Sequence, residues 1–178
     1  MKPCTTHVRK ERDKWIYENV LIRKARVSDA KILAPHLRKA DKAEIKALLG
    51  LSPEIVLEAS IRDSAKTYSV TSLDGKEIYA SFGVTTANAT SGMIWLLGSE
   101  DMFKAARVSF IRNSKFWVDK LMENYEILFN VVDCRNKKHI RWLKWIGFTF
   151  AEAPLEKFGV EKRPFYQFFM HKGDLDND

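Results

Sequence analysis

The sequence predicts a mixed α/β domain, on three observations. The apolar period shifts from about 3.6 residues to 2 and back again along the chain. The segment Leu73-Asp74-Gly75-Lys76 puts Asp-Gly at the centre of a hairpin turn between two alternating runs. A long amphipathic stretch is then followed by ILFNVV (127–132), an unbroken apolar run that suits a strand covered on both faces. Strands 93–97 and 127–132 are therefore expected to be parallel neighbours joined by a right-handed helical crossover.

Taken in order, VLIRKAR (20–26) reads as a strand. Ser28 offers an N-cap to a helix carrying Ile32, Leu33, His36 and Leu37. A second helix runs from Ala43 to Leu49 and stops at Gly50, a suitable left-handed C′ residue. Ser52-Pro53-Glu54 opens a third, with Ile55, Val56, Ala59 and Ile61 on its apolar face. TYSVT (67–71), IYASFGVT (78–85) and MIWLL (93–97) form a meander. A helix is expected from about Asp101 to Tyr125, with Phe103, Ala106, Phe110, Trp117 and Leu121 on its broad apolar face. Residues 136–146 make another amphipathic helix closed by Gly147, and strands near 148–152 and 165–171 complete the pattern. Residues 1–18 read as a charged, exposed arm with one helical turn around Trp15, residues 19–173 as one domain, and residues 174–178 as an acidic tail.

The 178-residue length fits one domain of about 100–200 residues. A hydrophobic content of 46% supports a packed core and excludes a disordered chain. Cys4 and Cys134 make neither a disulfide framework nor a zinc site, so no metal is expected. No apolar stretch reaches the roughly 18 residues of a membrane span, and the N-terminus lacks the apolar core of a signal peptide. Membrane insertion and secretion are not expected. Thirty Lys and Arg against 23 Asp and Glu leave a net charge of +7, compatible with nucleic acid or nucleotide phosphates and equally with a solubilising surface.

The segment N-K-K-H-I-R-W-L-K-W-I-G-F (136–148) resembles the last conserved motif of the GNAT acyltransferases, N-x-x-A-x-x-x-Y-x-x-x-G-F, with Asn136 and Gly147-Phe148 in place. With the preceding meander, the resemblance covers roughly residues 20–172. It implies a twisted, mostly antiparallel sheet with helices on both faces and a central, splayed parallel strand pair. It also implies acetyl-CoA as cofactor, its pantetheine arm in the splay. The corresponding contacts here would come from Leu96, Leu97, Lys104, Ala105, Ala106 and Asn136. Two departures bear on chemistry. The family's phosphate cradle is glycine-rich, because a Cβ would block approach to backbone N–H groups, yet no glycine lies between Gly98 and Gly147. Leu143 stands where the family keeps the tyrosine that protonates the leaving thiolate, and an aliphatic side chain donates no proton.

The chain from Ile111 to Gly173 is also similar to a GNAT-like internal-virion-protein family of short-tailed bacteriophages. The resemblance rests on a basic helix ending in M-E-N-Y, on H-I-R-W-L-K-W-I-G and on the F-Y-Q-F-F-M strand; IRKARVSDA resembles that family's start. It implies a catalytically degenerate protein acting in virion assembly or as a minor internal virion component. Phage virion or host proteins would be its partners, in the host cytoplasm or the virion interior, with no cofactor. The alternative is an acetyl-CoA-dependent N-acetyltransferase with a relocated acid, for which Tyr125 and Tyr166 are the candidates, while Glu77 reads as either a base acting through water or a solvated edge carboxylate. His139 reads as either a base or ligand, or a surface or capping histidine. Lys137, Arg141 and Lys144 share one helix face by their i, i+4, i+7 spacing, a solvated face or a contact for nucleic acid or an acidic partner.

Overall fold

The computed structural model describes residues 9–11, 13–17, 19–105 and 112–174. Among these residues ten strands form one sheet: β1 (Arg9–Glu11), β2 (Lys14–Tyr17), β3 (Val20–Lys24), β4 (Lys66–Thr71), β5 (Ile78–Thr86), β6 (Ser91–Gly98), β7 (Ile127–Asp133), β8 (Thr149–Phe150), β9 (Leu155–Phe158) and β10 (Arg163–His171). Their order is β1-β2-β3-β4-β5-β6-β7-β10-β8, with β9 also paired to β10. Every pairing among them is antiparallel except β6 with β7. The parallel pair expected from ILFNVV is present.

Six α-helices among the described residues flank the sheet: α1 (Asp29–Leu33), α2 (Lys39–Leu49), α3 (Pro53–Asp63), α4 (Met102–Ala105), α5 (Ser114–Met122) and α6 (Lys137–Ile146). On one face, Leu33 and Leu37 from the first helical segment, Ile45 of α2, and Leu57 and Ile61 of α3 bury against Ile78. On the other, Trp117 and Leu121 of α5 and Ile140, Leu143 and Ile146 of α6 pack on Val70, Phe82, Leu128 and Val132. None of the described helices is long and apolar enough to cross a membrane.

Local chemistry explains most boundaries. Gly50 ends α2 at φ 68°, and Ser52 Oγ accepts from Ile55 N at 3.4 Å to open α3. Gly75 takes φ 74° in the β4–β5 turn, where Asp74 accepts from Lys76 N. Ser28, in contrast, makes no side-chain cap. The carboxylate of Asp29, the first residue of α1, instead accepts from Arg26 N upstream of the helix at 3.0 Å while forked by Arg23 and bonded by Ser69 Oγ at 2.7 Å. Burial opposes ionisation of Asp29, but these donors hold its carboxyl below the usual range. Ile55 lies 54% exposed because Leu57 and Ile61 take the buried face of α3.

Three expectations need correction. The turn around Trp15 is strand, not helix: β2 pairs with β3, and Trp15 and Tyr17 are buried. Trp15 sits edge-on to Trp117 at 5.0 Å and to Tyr68 at 5.7 Å, so aromatic packing outweighs the charged flanks. The long helix expected from Asp101 to Tyr125 is interrupted before Ser114 by a turn at Asn113, a residue type suited to caps. Ala106, Phe110 and Ile111 lie outside the described residues, as do Cys4 and the end of the acidic tail. Finally, β8 is two residues long, because the chain turns away before pairing again as β9.

The β9–β10 turn rests on the end of α2, with Val160 N and Glu161 N donating to Leu48 O and Ala47 O. Gly159 sits there at φ 70°, and a Cβ would fall 2.4 Å from Ala47 O. Gly159→Ala is therefore expected to cost about 2 kcal/mol or more in urea unfolding, from the left-handed backbone and the overlap together.

Candidate functional site

The two parallel strands share only a short register. Pairing runs from Ser91 opposite Ile127 to Met93 opposite Phe129, and beyond it β6 and β7 continue without pairing to each other as far as Gly98 and Asp133. The sheet therefore opens into a V towards their C-terminal ends. At its apex Asn130 Nδ2 donates to Ile94 O at 2.6 Å, while Asn130 Oδ1 accepts from Val131 N at 2.7 Å. One amide side chain thus replaces the first missing rung.

Helix α2 spans the open end. Arg38 N donates to Gly98 O, and Asp41 Oδ2 accepts from Gly98 N at 3.0 Å; the Arg38 guanidinium forks onto the Asp41 carboxylate. One turn later, Glu44 Oε2 accepts from Asp133 N and from Asn136 Nδ2, both at 3.1 Å. Asp41 and Glu44 are three apart, so they project from neighbouring positions on the helix. One carboxylate holds the end of β6 and the other the end of β7.

A cavity of about 700 Å³ runs through the V and reaches both sheet faces. Its walls are mainly apolar, with Trp95, Leu97, Phe129, Val131, Trp142 and Leu143 prominent, and among the described residues its lining contains neither Lys nor Arg. Glu44 and His139 are the titratable side chains that line it. Burial pushes the half-buried Glu44 carboxyl up to about 7 against its two hydrogen bonds, and the nearby Asp41 and Asp133 carboxylates add to the rise. His139 is 9% exposed, its Nδ1 has no hydrogen-bond partner among the described residues, and burial with the positive Arg38 pushes it down to about 3. The imidazole is neutral at pH 7. A site combining an apolar wall with a carboxyl poised near neutrality and a neutral imidazole can relay a proton or hold a hydrogen-bonding ligand.

The residues singled out from sequence distribute unevenly around this site. Leu96 and Leu97 line the cavity. Asn136 is buried beside it and bonds Glu44 rather than facing the opening. Lys104 is exposed and paired with Asp101, and Ala105 packs against the core, so neither lines the cavity. Tyr125 is buried outside the cavity, its hydroxyl 2.6 Å from Thr86 Oγ1. Tyr166 faces a different cavity, beyond α6, against Phe150. Glu77 is exposed on the hairpin and accepts from Tyr79 OH at 2.8 Å, which pushes the phenol up to about 12. The two candidate acids and the candidate base are not brought together. Lys137, Arg141 and Lys144 do share one face, which lines that second cavity. Among the described residues no His, Cys, Asp and Glu group could hold a metal ion.

Glu44 and Asn130 were not visible in the sequence. Glu44 reads as one more charge on an amphipathic helix, and its partner lies 89 residues away. Asn130 interrupts ILFNVV, and that single polar residue inside an apolar strand was the available signal.

Comparison with known proteins adds two findings. The family model described as Bacteriophage T7, probable scaffold protein Gp13, matches residues 78–153, under half of the chain. This stretch holds the meander's last strands, both arms of the V and α6. No curated protein matches the sequence. Among solved structures, Ard1 from Thermoplasma volcanium superposes with a TM-score of 0.66 at 15% identity, over 85% of this chain and 97% of that one. The spermidine N-acetyltransferase from Vibrio cholerae in complex with CoA and spermine gives 0.63 at 13%, over 89% and 98%. A GNAT-family acetyltransferase from Bacillus anthracis gives 0.60 at 13%, over 88% and 96%. At such identities the likeness speaks for architecture, and the architecture of this chain is the GNAT fold.

Proposed function

We propose that this is a phage-encoded GNAT-fold protein that has lost acyl transfer and acts in virion assembly or as a minor internal virion component. The observation that carries the reading is Leu143. It stands at the motif position of the thiolate's proton donor, is 3% exposed, and packs with Ile140 and Ile146 in the core. The tyrosines that could replace it are occupied elsewhere, one tied to Thr86 and one beyond α6. Asn130 closes the apex of the V, and the described walls offer no Lys or Arg to a cofactor's phosphates. The match to a probable scaffold protein family supports an assembly role, with virion or host proteins as partners.

One observation favours an acetyl-CoA-dependent N-acetyltransferase instead. Glu44, raised to about 7, faces the cavity at the mouth of the V and could serve as a relocated proton carrier.

Calorimetry and a thiol-release assay with acetyl-CoA separate the two. The first reading expects no saturable binding in the micromolar range and near-background turnover with simple amines. General acid catalysis is worth roughly 10²–10⁴ in rate, yet Leu143→Tyr should recover little, because the described wall would still lack phosphate ligands. Micromolar binding with turnover that falls 10²-fold or more in Glu44→Gln would establish the enzyme.

A further inference from the structure

Helix α6 has two working flanks. His139, Trp142 and Leu143 face the V, whereas Lys137, Arg141 and Lys144 line a second cavity of about 570 Å³ between the helix and β8–β10. Phe150 and Tyr166 line this concavity, with ring centroids 6.1 Å apart, and Lys144 Nζ lies 5.3 Å from the centre of the Phe150 ring. Glu152 also lines it.

Of the cations nearby, Arg135 is forked onto Asp133 and Arg163 pairs with Glu161 at 2.8 Å, while Lys138 forms no ion pair among the described residues. Lys137, Arg141 and Lys144 form no ion pair among the described residues. Three like charges on successive turns repel one another, and here they converge on a concavity instead of spreading over a convex face. The cations suit a phosphate, Phe150 and Tyr166, set at 75° to each other, form an aromatic corner against which a flat heterocycle can pack, and the Glu152 carboxylate can accept from an amino or hydroxyl group. The volume falls within the roughly 300–1,000 Å³ of small-ligand sites.

We propose that this cavity binds a nucleotide unit, its base against Phe150 and Tyr166 and its phosphate on Lys137, Arg141 and Lys144. The unit could be a free mononucleotide or part of a single strand. The proposal is independent of the acyl-transfer question, since the V lies on the other side of α6.

The test measures anisotropy of a labelled oligothymidylate of about 12 nucleotides at ~50 mM salt, with AMP as competitor. Binding should be saturable and weaken with salt at a log–log slope near −2, about −0.7 for each of three phosphate contacts. Lys137→Glu, Arg141→Glu and Lys144→Glu combined should cut affinity at least tenfold. These residues are exposed, so folding, checked by circular dichroism, should survive. Phe150→Leu should weaken the strand without changing the slope. Competition by AMP assigns the site to free nucleotides, and strand binding without competition assigns it to nucleic acid; both support the shared chemistry. Absence of binding to both probes, or an equal loss on reversing Lys31 and Lys39 on the remote helices, would overturn the proposal.

Discussion

The clasp that α2 makes across two diverging strands governs this molecule. Two parallel strands that stop pairing after three residue pairs leave backbone groups without ladder partners, and buried polar groups must find others. Asp41 and Arg38 satisfy both backbone groups of Gly98 at the end of β6. Glu44 satisfies Asp133 N at the end of β7 and orients Asn136 at the start of α6. Asn130 fills the apex. The remaining architecture serves this arrangement, including the β9–β10 turn that grips the far end of α2 through Gly159.

The clasp also decides what the V can do. It keeps an apolar passage open through the sheet, and it places a carboxyl with a raised pKa at the mouth. A GNAT fold supplies the passage whether or not acyl transfer occurs, and chemistry has to be argued from the side chains present. Here Leu143, at the position where the motif resemblance would put the donor, is packed in the core, and Asp41, Glu44 and Asn130 are engaged in holding strands. The same helix that contributes Leu143 to the passage turns three cations outward. Its two flanks therefore have separate chemistry.

Much of the fold was legible because it follows from local rules. The Asp-Gly turn, Gly50 as a left-handed cap, Ser52 before Pro53 and the apolar run 127–132 each dictate structure over a few residues. The failures were equally physical. Trp15 and Tyr17 alternate correctly for a strand, but over only four residues among charges, and the rings that cover Trp15 are Tyr68 and Trp117, distant in sequence. At the site, the two departures from the GNAT motif were visible, whereas the clasp was not. The hydrogen bonds of Glu44 and Asp41 reach 89 and 57 residues along the chain, and no periodicity encodes them. Tyr125 and Tyr166 were reasonable candidates by type, but sequence does not place a hydroxyl.

The clasp is tested most directly by the pH dependence of stability in the protein and its Glu44→Gln variant. The Glu44 pKa is raised from 4.5 to about 7 on folding, so the folded state binds more protons than the unfolded one between those values. Its contribution is present below about 4.5 and is lost as pH rises to about 7. The loss is about 1–3 kcal/mol for a half-buried group, at roughly 1.36 kcal/mol per pKa unit. The amide introduced by Glu44→Gln would keep an acceptor for Asp133 N without this titration. Urea unfolding should therefore show similar stability for both proteins at pH ~5 and a variant that is the more stable by that amount at pH ~8. A difference in stability between the two proteins that stays the same at both pH values would mean that Glu44 keeps the pKa of an ordinary exposed carboxylate and is not buried across the mouth of the V.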